Sequence, residues 1–339
     1  MSNQRVTEIL EHARTLVEPE LRRAVATLTP EMRAPAEYHF GWTDRSGNEV
    51  PGGGGKGIRP ALAILSARAA DAGDVGLAIP GAAAVELVHN FSLLHDDIID
   101  GDTERRHRET VWSSWTTGDA IIVGDALHAL AFDLLLDAVT PERVQAARRL
   151  AQRTAAMIAG QSADMSFDQR AEVTFEDCLT MEANKTGALL AYSASVGAVL
   201  TGAEADVVQQ LDEFGASLGL AFQAVDDVLG IWGEPAVTGK PAGNDLRERK
   251  KSMPVAAALH SGHSNVAEIS ALYAQETLAD DEISRLADLI DGCGGRSRTE
   301  AEAQLHLSHA MLALDRGSLE PAALEDLKAV AEFVVSRTF

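Results

Sequence analysis

Cysteine is scarce. The 339 residues hold two, Cys178 and Cys293, too few for a disulfide framework. The pair reads as free thiols of a reducing compartment. Eleven prolines and 28 glycines exclude a collagen-like or low-complexity chain. Basic residues are outnumbered, 29 against 51 acidic ones, for a formal charge of -22. A field of that sign repels nucleic acid and anionic lipid, and no basic surface laced with aromatics offsets it. The N-terminal stretch MSNQRVTEILEHARTLVEPE has no apolar signal core. The nearest approach to a membrane span, AIPGAAAVELVHNFSLLH, is interrupted by Glu86 and two histidines. A cytoplasmic protein without obligatory membrane attachment is the expectation. Runs of alternating β-branched residues are also scarce, which argues against a large sheet.

What is abundant is apolar sequence at helical spacing. Val6, Ile9, Leu10, Ala13, Leu16 and Val17 predict an amphipathic helix within 1–30. A loop is expected over 32–58, with four glycines in a row at 52–55, and a second over 233–243. Between and beyond them the pattern predicts helices at 59–72, 79–100, 117–137, 141–166, 174–199, 204–232, 252–260, 265–278, 281–290, 297–314 and 321–335. The expected fold is all-α in a single domain, 1–339, with 79–100 and 213–232 at the centre of a bundle.

Two of these helices end in acidic clusters. In FSLLHDDIIDGDTERR, Asp96 and Asp100 are four residues apart and share a face, with Asp97 about 100° around. Such like charges destabilise a helix by about 0.2–0.5 kcal/mol per pair, so a cation is expected to offset them. Carboxylate oxygens suit Mg²⁺. The pattern nearly recurs in GLAFQAVDDVLGIWG, where Gln223 can share the face of Asp226 and Asp227, and Gly230 stands where a third carboxylate would fall. One acidic pair at a helix end is ordinarily solvated surface. Two, each closing an apolar helix, suggest about three carboxylates within reach of a metal cluster.

In so acidic a chain the basic groups are candidates for an anion site. Arg105 and Arg106 follow the first cluster; Lys56 and Arg59 flank the glycine run; Lys185 lies in NKTG, Lys240 in TGKP, and Lys250 and Lys251 in DLRERKK. A glycine run with a lysine can offer backbone N–H groups to phosphate, although GGGGKG is neither a P-loop nor part of a dinucleotide fingerprint. His89 lies two turns before Asp96 and either binds an anion or caps a polar layer. His95 has no second transition-metal ligand at a suitable spacing. His107 and His128 read as surface residues. Gln161 and Asp164 share a face and can support a metal or pair with a lysine.

Taken in order, GGGGKGIRP, ELVHNFSLLHDDIIDGDTERRHRET, VGDAL, GQSAD, NKTG, FQAVDDVLG and GKPAGNDLRERKKSMP resemble the trans-isoprenyl diphosphate synthase family over about 50–335. The resemblance implies the isoprenoid synthase fold, long antiparallel helices around a central apolar cavity, and a homodimer. It implies that Asp96, Asp100 and Asp226 bind Mg²⁺, three ions per site with substrate present, supported by Asp97 and Asp227. Arg105, Lys185 and Lys240 would grip the allylic diphosphate. Lys56, Arg59, His89 and Arg106 would hold isopentenyl diphosphate, and Gln223 and Thr186 would line the region where the allylic cation forms. Gly230 departs from the family's aspartate, and Arg249 stands before Lys250 where the family often has glycine.

The implied reaction is loss of diphosphate from the allylic substrate, attack by the double bond of isopentenyl diphosphate and loss of a proton, the departing diphosphate serving as base. In the family a bulky residue five positions before the first aspartate limits chain growth. Here that residue is Phe91, beside the small Ser92. The pattern is similar to geranylgeranyl diphosphate synthases making C20, with C15 the next candidate. A class I terpene cyclase would share the first cluster but carry a late asparagine–serine–glutamate metal motif, where this chain has NDLRERKKS. Gly230 also admits a non-catalytic regulatory subunit.

Overall fold

The alanine- and leucine-rich segments form helices nearly throughout the computed structural model, which describes residues 2–50, 55–71, 73–167, 169–234, 242–275, 277–317 and 319–336. The main helices are Ser2–Val25, Pro30–His39, Ile58–Ala69, Ile79–Ile99, Thr117–Leu136, Pro141–Phe167, Phe175–Glu182, Ala188–Leu200, Ala205–Trp232, Met253–Leu259, Val266–Tyr273, Asp280–Gly292, Gly295–Leu314 and Pro321–Val335. The all-α expectation holds. Among the described residues the strands of the one sheet are Glu104–Arg105 and Arg108–Glu109.

Three local expectations need correction. The loop read at 32–58 begins with the helix Pro30–His39, where Pro30 pre-sets the first turn and Glu31 complements its dipole. The helix read at 174–199 starts as expected, in a capping box between Thr174 and Asp177, but one π-turn, Ala183–Gly187, interrupts it. Two helices, Val75–Ile99 and Ala205–Trp232, do reach the length and hydropathy of a membrane span, and 67% and 56% of their apolar windows are buried inside the protein.

The described contacts group the chain into two units. The first comprises Met1–Thr154, Tyr192–Asp212 and Arg316–Ala329; the second, Ala155–Ala191, Glu213–Asp315 and Val330–Phe339. In the first unit the Ile79–Ile99 helix is buried along most of its length, with Val85, Leu87 and Val88 fully enclosed. Its Gly81 gives room to Val196 and Leu200, and Ser66 Oγ accepts a 3.0 Å hydrogen bond from Gly197 N. In the second unit one apolar cluster includes Phe175, Cys178, Met181, Val225 and Met253, and another Ile231, Leu246, Val255, Ile269 and Leu286.

Candidate active site

In the first unit the helix end carrying Asp96, Asp97 and Asp100 sorts its carboxylates by burial. Asp96 is half-buried and Asp100 exposed, whereas Asp97 is buried. Arg105 Nε donates to Asp97 Oδ1 at 2.6 Å, and Asp97 Oδ2 is buried without a hydrogen-bond partner among the described residues. Burial raises the Asp97 pKa against the opposing pull of Arg105. Asp102 N donates to Asp97 O, and the Asp102 carbonyl accepts from Thr110 Oγ1 and Trp112 Nε1. This ties the following hairpin to the helix end. Its two-residue turn, Arg106–His107, has positive φ at both positions, 53° and 61°, a conformation that ordinarily selects asparagine and glycine. Non-glycine side chains in such backbone mark strain that the surrounding structure must impose.

That turn carries Arg106 onto the glycine-run backbone: a Cβ at Gly55 would meet Arg106 NH2 at 2.8 Å. A small open cleft is lined there by Phe40, Trp42, Gly55, Glu86, Asn90 and Arg106. Phe40 and Trp42 stack at 4.5 Å. Asn90 Nδ2 donates to Glu86 Oε1 at 3.2 Å. Burial raises the Glu86 pKa, with Arg59 and Arg106 opposing. Burial also pushes the His89 pKa well down, helped by Arg59, Arg106 and Arg105, so His89 is a neutral donor or acceptor at pH 7. The structure thus brings Arg59, His89 and Arg106 into one electrostatic neighbourhood. Lys56 is exposed beside it.

Two histidines in this unit are packed rather than free. Gly124 of VGDAL leaves room for the His95 ring, whose Nε2 lies 3.2 Å from the Ile121 carbonyl. His128, read above as a surface residue, is half-buried. Its ring stands 5.1 Å from Phe91 and 5.1 Å from Phe132, and burial lowers its pKa. The surface expectation failed because the Thr117–Leu136 helix is apolar nearly all round, so its sequence did not single out a buried face. His107 is exposed, as expected.

In the second unit the π-turn Ala183–Gly187 presents Lys185 and Thr186. Two glycines let neighbouring helices close on it. A Cβ at Gly160 would meet Lys185 Cα at 2.7 Å, and one at Gly219 would meet Gly187 Cα at 2.6 Å. The wide turn pushes its residues out of α-helical register, a feature often found at functional sites. Lys185 Nζ pairs with Asp164 at 2.5 Å, which realises the lysine pairing anticipated for GQSAD. Thr186 Oγ1 donates to Gln223 Oε1 at 3.1 Å, and Gln223 Nε2 donates to Asp227 Oδ1 at 3.1 Å. Asp227 Oδ2 accepts from Met253 N at 2.9 Å.

Asp227 is therefore buried and anchored, while Asp226 is half-buried. Burial, with added repulsion from Asp245 and Asp226, pushes the Asp227 carboxyl up to about 7. Burial and then Asp227 raise that of Glu182. Lys251, an anion candidate above, instead donates to the Phe167 and Arg170 carbonyls at 2.7 and 2.6 Å. Lys240 and glycines 52–54 lie outside the described residues.

Sequence reading missed Glu86, His39, Glu182 and Asp245. A carboxylate inside the apolar run AAAVELV was the available signal for Glu86. His39 and Glu182 reach their neighbourhoods only through the fold: Arg106, Arg105 and Arg108 bear on His39, whose pKa is lowered to about 3, chiefly by burial.

The carboxylates of each unit suit a hard cation. Asp96 and Asp100 in the first and Asp226 in the second offer only oxygen, and among the described residues no three His, Cys, Asp or Glu side chains form a ready-made cage. A site that supplies one or two carboxylates and leaves the other positions to water and phosphate is the usual habit of Mg²⁺.

A family model described as Polyprenyl synthetase matches residues 41–290. The chain is 43% identical to (2E,6E)-farnesyl diphosphate synthase of Mycobacterium tuberculosis over 338 residues, covering 98% of this chain and 94% of the relative. It is 42% identical to geranylgeranyl diphosphate synthase of the same organism over 332 residues, covering 97% and 93%. The crystal structure of a polyprenyl synthetase from Streptomyces coelicolor A3(2) superposes with a TM-score of 0.92 at 49% identity, over 97% of this chain and 99% of that one. The architecture is the all-α isoprenoid synthase fold. The chain belongs to the polyprenyl synthetase family, and it is a trans-prenyltransferase.

Proposed function

We propose that this enzyme condenses isopentenyl diphosphate head-to-tail with allylic diphosphates in a Mg²⁺-dependent reaction, giving geranylgeranyl diphosphate (C20) as its main product. One observation carries the reading: a single buried helix ends in Asp96 and Asp100 and bears His89 two turns earlier, beside the Arg59 and Arg106 charges. Carboxylates for a metal and a neutral donor for a phosphate thus sit on adjoining stretches of one element, beside cationic donors from its neighbours.

In this reading Asp96, Asp100 and Asp226 hold three Mg²⁺ ions with the allylic diphosphate. Mg²⁺ bound there would neutralise the charge that builds on the diphosphate as its bond to carbon breaks. Lys185, Arg105 and Lys240 grip the same group, and Asp97 and Asp227 hold their neighbours in place. Lys56, Arg59, His89 and Arg106 orient isopentenyl diphosphate so that its double bond meets the allylic carbon. Thr186 and Gln223 present polar atoms to the forming cation, and the apolar helices exclude water. The whole chain acts as one catalytic domain.

The relatives include both C15 and C20 synthases at nearly equal identity. The C20 assignment is supported by the ring contacts of Phe91, five residues before Asp96, with His95 and His128. C15 is the second candidate. A homodimer is supported by the exposed Ile121, Ile122 and Leu136 on one helix, and a cytoplasmic setting by the unpaired cysteines.

Incubating the purified chain with dimethylallyl, geranyl and farnesyl diphosphate in turn, each with and without isopentenyl diphosphate and Mg²⁺, tests the proposal. Elongated diphosphates that need both additions are expected. Hydrocarbon release without isopentenyl diphosphate indicates a cyclase, and inactivity of the chain with all three starters overturns the reading.

A further inference from the structure

The hairpin that carries Arg106 cannot hold its shape by its own bonds. Its ladder is two residues long on each side, Glu104 opposite Glu109 and Arg105 opposite Arg108. A two-stranded ribbon so short is marginal in water, and like charges directly opposite each other weaken it further. Its turn residues, Arg106 and His107, stand at φ 53° and 61°, which is strained backbone for side chains other than glycine. The His107 side chain is 83% exposed, so its burial does not offset that strain.

The hold comes from outside, and each strand has its own. On the first strand Arg105 reaches Asp97. On the returning strand Arg108 spans two carbonyls of an earlier segment: Nη1 donates to Tyr38 O at 3.1 Å and Nη2 to Thr43 O at 2.8 Å. The same guanidinium lies 4.0 Å from the centre of the Tyr38 ring. Tyr38 answers with a hydrogen bond of its own, its hydroxyl donating to the Glu109 carbonyl at 2.9 Å. The platform is itself fixed, since Tyr38 is buried and meets Trp115 edge-on at 5.0 Å. A fork on two acceptors, a stacked face and a returned hydrogen bond together fix the strand at residues 108 and 109. The turn just before them is thereby aimed, and its Arg106 comes to lie against Gly55.

We propose that Arg108 is a positioning residue for isopentenyl diphosphate: by clamping the returning strand to Tyr38 and Thr43 it imposes the strained turn that lays Arg106 along the glycine-run backbone. The inference rests on the reading of Arg106 as a ligand of that substrate and extends it to a residue outside the expected set.

Strain separates this role from ordinary packing. With the clamp weakened, the turn relaxes and Arg106 leaves its place. Glycine at 107 adopts the same turn without strain, so it should restore the turn even when the clamp is weak. A residue that only stabilises the fold would not be rescued in this way.

Steady-state kinetics on the full chain, with geranyl diphosphate as starter, give KM for each substrate in wild type, Arg108→Lys, His107→Gly and Arg108→Lys/His107→Gly. Melting is recorded for each. Arg108→Lys keeps the charge and loses the planar fork and stacked face. It is expected to raise KM for isopentenyl diphosphate by about 10-fold, the scale of one lost charged hydrogen bond. KM for geranyl diphosphate should change less, because Arg105 keeps its own contact with Asp97. His107→Gly alone is expected to match wild type, and the double variant to recover most of what Arg108→Lys loses. A folded Arg108→Lys chain with wild-type KM for isopentenyl diphosphate overturns the inference and leaves the proposed function standing. So do equal rises in both KM values, and so does a folded double variant no better than Arg108→Lys. If Arg108→Lys does not fold, Tyr38→Phe, which removes only the hydroxyl bond to the same strand, is judged by the same criteria. A wild-type chain that elongates no starter with isopentenyl diphosphate removes the proposed function and this inference together.

Discussion

Arg105 Nε donates to Asp97 Oδ1 at 2.6 Å, and this contact divides the labour of two adjacent aspartates. Asp97 is buried and tied to the hairpin, while its neighbour Asp96 is half-buried and is the one of the two that binds a metal in the proposed reaction. Replacing Asp96 with Asn should lower kcat/KM by about 10³-fold, the scale of losing one electrostatic contact to a leaving group, with little change in melting temperature. Asp97→Asn should act chiefly on stability, by about 2 kcal/mol, because it breaks a buried charge-assisted hydrogen bond. Steady-state kinetics and thermal melting on the two variants check the division. Equal kinetic losses with unchanged melting temperatures would contradict it.

A second expectation concerns the closeness of Gly160 to Lys185. An added methyl at 160 must displace the backbone of the π-turn, because its nearest neighbours include Lys185 N and Cα rather than a movable side-chain tip. Overpacking of this kind costs about 1–3 kcal/mol. Gly160→Ala should therefore lower the melting temperature and raise KM for the allylic diphosphate more than KM for isopentenyl diphosphate, since it shifts Lys185 and Thr186 alone. Parallel titrations of the two substrates measure the split, and an equal rise in both constants counts against it.

The same comparison marks what the sequence could reveal. That Asp96 and Asp100 share a face at the end of a buried helix was legible because helical periodicity places residues four apart together, and the helix of Asp226 was announced by its apolar run. The all-α class was legible for the same reason. The π-turn was not, because nothing in ANKTG tells a wide turn from a weak stretch of α-helix, and the wide turn shows only once Gly160 and Gly219 are seen to press upon it. Asp245 and Glu182 were hidden differently. Asp245 meets Gly230 across fifteen positions, and Glu182 feels Asp227 across forty-five, so only the fold brings each pair together. His128 was misread because a helix that is apolar on every side gives no phase from which to tell inside from outside.

The buried carboxyl of Asp227 predicts a pH effect of definite sign. Its pKa rises from 3.8 to about 7, first through burial. The folded chain therefore holds this proton more tightly than the unfolded one. Stability from this group is greatest below about pH 4 and is lost as pH rises through about 7. In Asp227→Asn the oxygen still accepts from Met253 N. The Gln223 amide can turn over to accept from the new N–H, with Thr186 Oγ1 accepting in its turn. The variant's metal-free stability, followed by its melting temperature, should fall less than that of wild type between pH 5 and pH 8, by about 2–3 kcal/mol. Melting curves in EDTA at several pH values decide the matter, and parallel declines in the two proteins would remove Asp227 as the cause.

Chain length gives the last prediction, because Phe91, the proposed limit, stands in a stack of rings rather than alone. Phe91 is 9% exposed and lies between His95, at 4.9 Å, and His128, at 5.1 Å, with Phe132 the next ring beyond His128. A growing prenyl tail that passes Phe91 would next meet the imidazole of His128. Phe91→Ala alone should lengthen the product by about one five-carbon unit, since a large-to-small change opens space that its neighbours refill only in part. Phe91→Ala/His128→Ala should lengthen it further than the two single changes added together, because residues in contact do not act independently. Ser92 is small and its hydroxyl donates to the His89 carbonyl at 2.8 Å, so Ser92→Phe should shorten the product instead. Chromatography of the dephosphorylated products reads these variants and His128→Ala alone. An unchanged C20 peak in the double variant would show that neither ring limits elongation.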